Sequence, residues 1–186
     1  MICLACAEPA RGALCNRCIG TLTPAPEQHL GGVLVRSAHA HEGAARRLVH
    51  RLKYGALASA AIPLARVMAD RLPVEARRLV PVPRVVARRW RHGIDPAAEL
   101  AAALARLTGL PVVEALRPAW WVARRAGPAG GHRGLPRFTL ERSPGGGAVL
   151  VDDVVTTGTT LRAAAEVIGC RHAVTATAST HRAVRP

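Results

Sequence analysis

Two groups of residues in this chain have the types and spacing needed for chemistry. The first is Val149-Leu150-Val151-Asp152-Asp153-Val154-Val155-Thr156-Thr157-Gly158-Thr159-Thr160, where adjacent carboxylates follow an apolar run and precede hydroxyls grouped around a glycine. The amides and hydroxyls of Thr156, Thr157, Thr159 and Thr160 can encircle a phosphate, and Gly158 lets the backbone approach it closely. A helix opening at this point adds roughly 0.3–1 kcal/mol of favourable field. Asp152 and Asp153 would then face the neutral part of the ligand, accepting from sugar hydroxyls and offering oxygens to Mg2+. The plainer reading has ordinary strand-end acids and threonine caps, but two uncompensated carboxylates after an apolar strand are unfavourable without a partner. The second group is Cys3-x2-Cys6-x8-Cys15-x2-Cys18. Each knuckle presents two thiolates, and together they complete a tetrahedral all-sulfur site. Structural Zn2+ is the favoured occupant because no position is left for water; a disulfide pair and an iron–sulfur cluster are the alternatives. Arg11 and Arg17 are placed to offset the charge of such a centre. Cys170 stands alone in an apolar stretch and reads as a core residue.

The elements that must position these groups follow from periodicity. Residues 1–22 form the cysteine module, and residues 23–32, with their prolines and Gly31-Gly32, read as a linker. Val33-Leu34-Val35 begins a strand. Ala45, Leu48, Val49 and Leu52 fall at helical spacing between Glu42 and Lys53. An Ala-rich helix is expected over 57–72, interrupted at Pro63. Leu79-Val80-Pro81-Val82-Pro83 reads as a buried strand entering a constrained turn, and Val112-Val113 as a further strand. Asp95-Pro96 opens a helix that closes near Gly109, with Asp at the N-cap and Pro at the first helical position. Residues 117–137 carry five arginines and no acid, and read as a mobile basic loop. A strand over 148–155, a helix over 159–168 closed by Gly169, and a strand over 173–178 complete the pattern. Strands alternating with helices predict an α/β fold with a mainly parallel sheet, in which ligands collect at the carboxyl ends of the strands.

Composition bounds the partners. At 186 residues the chain has room for one ordinary domain and a small appendage, and 49% apolar residues exclude wholesale disorder. With 36 alanines and only 3% aromatics, the core must be built from Ala, Val and Leu. Lys and Arg number 26 against 12 acids, a formal charge of +14, which invites nucleic acid, phosphorylated metabolites or an acidic surface. Yet 25 of those cations are arginine and only Lys53 is lysine, which together with the alanine excess points to GC-rich coding bias as the main source of the surplus. The N-terminus lacks a basic leader and no apolar run approaches ~18 residues, so no membrane insertion and a cytoplasmic location are expected. In that reducing compartment paired cysteines more often mean metal than disulfide.

The segment from Val149 to Thr160 closely resembles the phosphoribosyl pyrophosphate (PRPP) motif of type I phosphoribosyltransferases: two hydrophobics, two acids, two hydrophobics, then Thr-Thr-Gly-x-Thr. Together with the four-cysteine module, Leu52-Lys53-Tyr54-Gly55 and Val80-Pro81-Val82-Pro83, it resembles the ComF family of competence-associated, phosphoribosyltransferase-like proteins. The resemblance implies a type I phosphoribosyltransferase-like fold for residues 33–186. It implies that Asp152 and Asp153, the catalytic pair, hold the ribose hydroxyls, that Thr156 to Thr160 cradle the 5′-phosphate, and that Val155 belongs to the same PRPP-binding set. Val82, Pro83, Arg84 and Lys53 become candidates for the pyrophosphate, assisted by Mg2+, with Arg88, Arg89 and Arg91 adding charge. As surface cations these basic residues would need no such role. The family usually shows Arg-Gly-Phe-Asn-Gln where this chain has His92-Gly93-Ile94-Asp95-Pro96. It also usually has a Gln-containing stretch where Trp120-Trp121-Val122-Ala123-Arg124-Arg125 stands. Both departures fall where an acceptor or partner would bind. Thr156 occupies a position where many purine-salvage relatives place Asp, which argues against a hypoxanthine–guanine type of enzyme. The implied reaction is displacement of pyrophosphate from PRPP by a nitrogenous acceptor, with the 117–137 segment closing over the site. The alternatives are a non-catalytic competence factor binding single-stranded DNA, with Trp90, Trp120 and Trp121 available for stacking, and a regulator that senses PRPP.

Overall fold

In the computed structural model, which describes residues 1–84, 94–118 and 138–179, the apolar runs become strands and the helical patterns become helices laid across them. The order is α1 (Asn16–Ile19), β1 (Gln28–Leu30), β2 (Val33–Ala40), α2 (Gly43–Tyr54), a 3-10 turn (Ala58–Ala60), α3 (Ala61–Ala69), β3 (Arg78–Pro81), α4 (Pro96–Thr108), β4 (Leu116–Pro118), β5 (Phe138–Leu140), β6 (Ala148–Val155), α5 (Thr159–Ile168) and β7 (His172–Ala178). Five strands form one sheet in the order β1-β2-β7-β6-β3; only the β1–β2 pair is antiparallel. This is a mixed α/β architecture with a mostly parallel sheet. β4 and β5 form a separate antiparallel pair.

Side chains alternate across each strand, so β6 feeds two cores. Val149 and Val151 pack with Leu48, Leu52, Leu64, Met68, Leu100 and Leu104 from α2, α3 and α4. Leu150 packs on the other face with Leu161, Ala164 and Ala165 of α5. Cys3, Ala5 and Cys18 are buried in the first of these clusters, so the cysteine segment packs directly against the helices.

Local chemistry explains the boundaries. Asp95 caps α4 by accepting from the Ala97 amide, Pro96 takes the first position, and Gly109 ends the helix in the left-handed region at φ 74°. The helix expected over 57–72 is shorter: a 3-10 turn leads into α3, which stops at Ala69. Pro63 has no N–H and is tolerated only in a first turn, so the α-helix begins just ahead of it. Residues 28–33 contain a hairpin that the glycines alone did not signal. Gly31 and Gly32 both have positive φ (58° and 84°), the requirement of a type I′ turn, and join β1 to β2. The strand expected at Val112-Val113 is a single bridge to Leu79, because Pro111 has no N–H with which to extend the ladder. Among the described residues, no helix is long and apolar enough to cross a membrane.

Candidate functional site

The four N-terminal cysteines converge. Their Sγ atoms all lie within 4.8 Å of one another, and Cys6 and Cys15 are 3.7 Å apart. Sulfurs at zinc-bonding distance on a tetrahedron are spaced by about 3.8 Å, so the donor set fits Zn2+. The Cys15 amide donates to Cys3 Sγ at 3.4 Å and Arg47 donates to Cys18 Sγ at 3.5 Å. Burial pushes the Cys18 thiol up to about 12, with Arg47 opposing and the neighbouring sulfurs adding to the rise. Burial also acts to raise Cys3, but the amides of Cys15, Cys6 and Ala5 outweigh it and bring the thiol down to about 6. Four such sulfurs cannot all be anionic without a cation between them, which is the service a divalent metal performs. Sequence reasoning looked to Arg11 and Arg17 for charge compensation. The direct contact comes instead from Arg47, on α2, which spacing within the cysteine segment could not reveal. Arg17, Arg46, His50 and Arg51 line a cavity of about 770 Å3 beside the cluster.

The parallel strands β2, β7, β6 and β3 end along one edge, where the second group assembles. Asp153 shares the face of Val149 and Val151 and is almost sealed from solvent. Its Oδ1 lies 2.9 Å from Lys53 Nζ, and its Oδ2 lies 3.3 Å from Arg84 Nη2. Lys53 arrives from the last turn of α2, and Arg84 from the turn that Pro83 constrains after β3. The Arg84 amide donates to Asp95 Oδ2 at 3.3 Å, tying that turn to the cap of α4. Asp152 accepts from the Asp153 amide at 2.8 Å. Burial and the neighbouring charge of Asp153 raise Asp152 to about 8, against the lowering effects of that amide and Lys53. Of the two adjacent carboxyl groups, Asp153 is gripped by two cations, while Asp152 is pushed toward its protonated form.

The threonine loop follows immediately. Gly158 is buried with φ 71°, a backbone conformation that favours glycine, and a Cβ there would press on the Leu30 side chain. Thr156, Thr157 and Thr160 are exposed, and Thr157 and Thr159 share a hydroxyl bond of 2.9 Å. No side chain caps α5, so its first-turn amides have no side-chain acceptor. Val155 contributes differently: its side chain is buried and its carbonyl accepts from Ser179 at 2.9 Å. Val82 is buried beneath the turn, while Pro83 lines a polar cavity of about 490 Å3 with Arg84, Asp95, Glu114 and Arg117.

A chain of polar groups beneath this edge escaped sequence reasoning. Ser37 and Thr175 are joined at 2.7 Å, Thr175 donates to the Thr177 carbonyl at 3.2 Å, and Thr177 donates to the Asp153 carbonyl at 3.3 Å. His41 Nδ1 lies 2.8 Å from Thr177 Oγ1. Burial, then the charges of Lys53 and Arg46, lower the His41 pKa against the opposing pull of Asp153. The available signal was Thr175 and Thr177 interrupting an Ala/Val strand. Arg88, Arg89, Arg91, His92 and Gly93, the three tryptophans and residues 119–137 of the basic loop lie outside the described residues.

The edge therefore combines two adjacent carboxyl groups, two cations and an uncapped helix start, an arrangement able to hold a phosphorylated molecule that also bears hydroxyls. No protein-family model matches the chain, and no curated protein matches it.

Proposed function

We propose that residues 33–186 are a phosphoribosyltransferase-like domain of the ComF type, which binds PRPP and transfers its phosphoribosyl group to a nitrogenous acceptor. The observation that carries this reading is the meeting of Asp153, Lys53 and Arg84 beside the threonine loop. Those residues lie in or directly after three of the four segments that carry the resemblance, and are widely separated in sequence. In this reading the loop from Thr156 to Thr160 receives the 5′-phosphate on amides and hydroxyls, with Val155 anchoring its start. Asp152 and Asp153 accept from the ribose hydroxyls. Lys53, Arg84 and the turn at Val82-Pro83 receive the pyrophosphate, which Mg2+ would accompany and partly neutralise. The C1–O bond breaks with its electron pair leaving on pyrophosphate, the acceptor nitrogen bonds to C1, and that nitrogen's proton passes to solvent or base. Catalysis is then charge stabilisation and positioning. The N-terminal cysteines serve as a structural Zn2+ site, which suits a reducing cytoplasm.

Mg·PRPP is expected to raise the melting temperature of the wild-type protein, and Asp152→Ala with Asp153→Ala to abolish that rise. Absence of any stabilisation at millimolar PRPP would rule out the ligand. A pyrophosphate-release screen over nitrogenous acceptors then separates an enzyme from a PRPP sensor, which binds without turnover. One observation favours a second reading, a factor that binds single-stranded DNA: the cavity lined by Arg17, Arg46, Arg47, His50 and Arg51. That reading expects a steeply salt-dependent DNA affinity unaffected by PRPP.

A further inference from the structure

The hydroxyl of Thr177 has a single proton and two partners, and the Asp153 carbonyl, 3.3 Å away, can only accept, so both contacts are satisfied only when that proton points to the carbonyl. The 2.8 Å bond between that oxygen and His41 must then run the other way, with Nδ1–H donating. The chain above leaves no slack: Thr175 gives its proton to the Thr177 carbonyl, so Ser37 must donate to Thr175. A neutral imidazole protonated at Nδ1 carries a bare lone pair at Nε2. Among the described residues, that Nε2 has no protein partner. Nor is it one of the sealed, unsatisfied nitrogens, which are the Nδ1 atoms of His39 and His172. Burial together with Lys53 and Arg46 favours the neutral ring, and Asp153 opposes them.

His41 directly follows β2 at the carboxyl edge of the sheet, coupled through Thr177 to the backbone of Asp153. The edge otherwise offers two cations, a carboxylate already engaged by both of them, and the neighbouring Asp152 carboxyl. An uncharged acceptor held in one tautomer by the Thr177 hydroxyl suits a neutral donor such as a hydroxyl. We propose that His41 is a further ligand-contacting residue of this edge, its Nε2 accepting a hydrogen bond from a ribose hydroxyl of the bound molecule. The proposal rests on the reading of the edge as a phosphoribosyl site. The role of Thr177 is positioning: it fixes the tautomer and touches no ligand.

The test uses ribose 5-phosphate as probe and two substitutions of opposite logic. His41→Asn keeps a donor toward Thr177 and removes the outward acceptor; His41→Gln carries an amide oxygen to the position of Nε2. Ribose 5-phosphate affinity is expected to fall about tenfold in His41→Asn, the loss of one hydrogen bond, and to stay within about threefold in His41→Gln. Nitrogen-15 spectra should show the Nδ1-protonated tautomer in the free protein, loss of that preference in Thr177→Val, and a shift of Nε2 on adding ribose 5-phosphate. An Nε2-protonated ring in the wild type overturns the proposal, as does unchanged affinity in His41→Asn. If the tautomer is as stated but the wild-type protein binds no ribose 5-phosphate, the reading of the edge fails and takes the proposal with it.

Discussion

Asp153 holds Lys53 and Arg84 at once, so Asp153→Asn leaves two cations facing one another across a neutral amide. Removing one partner from a fully buried pair costs about 3–5 kcal/mol, and from an exposed pair about 0–1 kcal/mol. Here the Asp153 side chain is 9% exposed, Lys53 21% and Arg84 17%, so the carboxylate is nearly dry while both cations retain some water. The expected loss is intermediate, about 2–3 kcal/mol. In a chain of this length that lowers the melting temperature by roughly 5–10 °C. Lys53→Met leaves Arg84 in place and should cost only about 1 kcal/mol. Combining the two removes the repulsion that Asp153→Asn creates, so the double mutant should lose at least about 1 kcal/mol less than the sum of the singles. Urea denaturation of the four proteins, repeated at low and high salt, gives the coupling directly. Burial limits screening, so most of the coupling should persist in high salt. Additivity within about 0.5 kcal/mol would show that Lys53 and Asp153 do not act on each other, and the site would lose its central pair.

Three further expectations concern other parts of the molecule. Because Asp152 is raised from 3.8 to about 8, the folded state holds a proton that the unfolded chain releases across that window. Its contribution to stability is present below about pH 4 and is lost as pH rises toward 8. Asp152→Asn should therefore melt higher than wild type at pH 8, with the gap closing toward pH 4; a gap that does not depend on pH refutes the assignment. Metal analysis should find about one zinc per chain, lost in Cys15→Ser with Cys18→Ser, and metal-free wild-type protein with four titratable thiols would contradict the site. Gly158→Ala should cost more than about 1 kcal/mol through its positive φ and the overlap with Leu30. Leu30→Ala should recover part of that loss, and identical losses in both backgrounds would show that the overlap is not the cause.

Residues with one strong local requirement announced their structure. Asp95, Pro96 and Gly109 bracket α4, and the Thr-Thr-Gly-Thr run lies at the turn from β6 into α5, because caps and positive-φ turns admit few residue types. Lys53 and Arg84 were legible as candidates, although their convergence on one carboxylate depends on how α2 and β3 cross the sheet. What could not be read was chemistry arising only between distant segments. Ser37, His41, Thr175 and Thr177 look like ordinary polar residues until β2 and β7 lie side by side. Arg47 reads as a helix-surface cation until α2 packs on the cysteines. The β4–β5 pair was hidden for a related reason: Leu116–Pro118 and Phe138–Leu140 are too short for an alternation to emerge.

The position of β7 has a consequence for how the protein comes into being. This strand is made after all the others, yet it lies inside the sheet, between β2 and β6. During synthesis β2 and β6 must therefore wait with unpaired inner edges, which are open to wrong partners. Ser37 meets Thr175 only after 138 further residues have left the ribosome. Such distant pairing makes assembly slow and late. A chain cut before residue 172 would leave the sheet in two halves, β1-β2 and β6-β3, with no strand to join them. The edge comes into existence in a single late event, so incomplete products should lack partial function and be strong substrates for proteolysis.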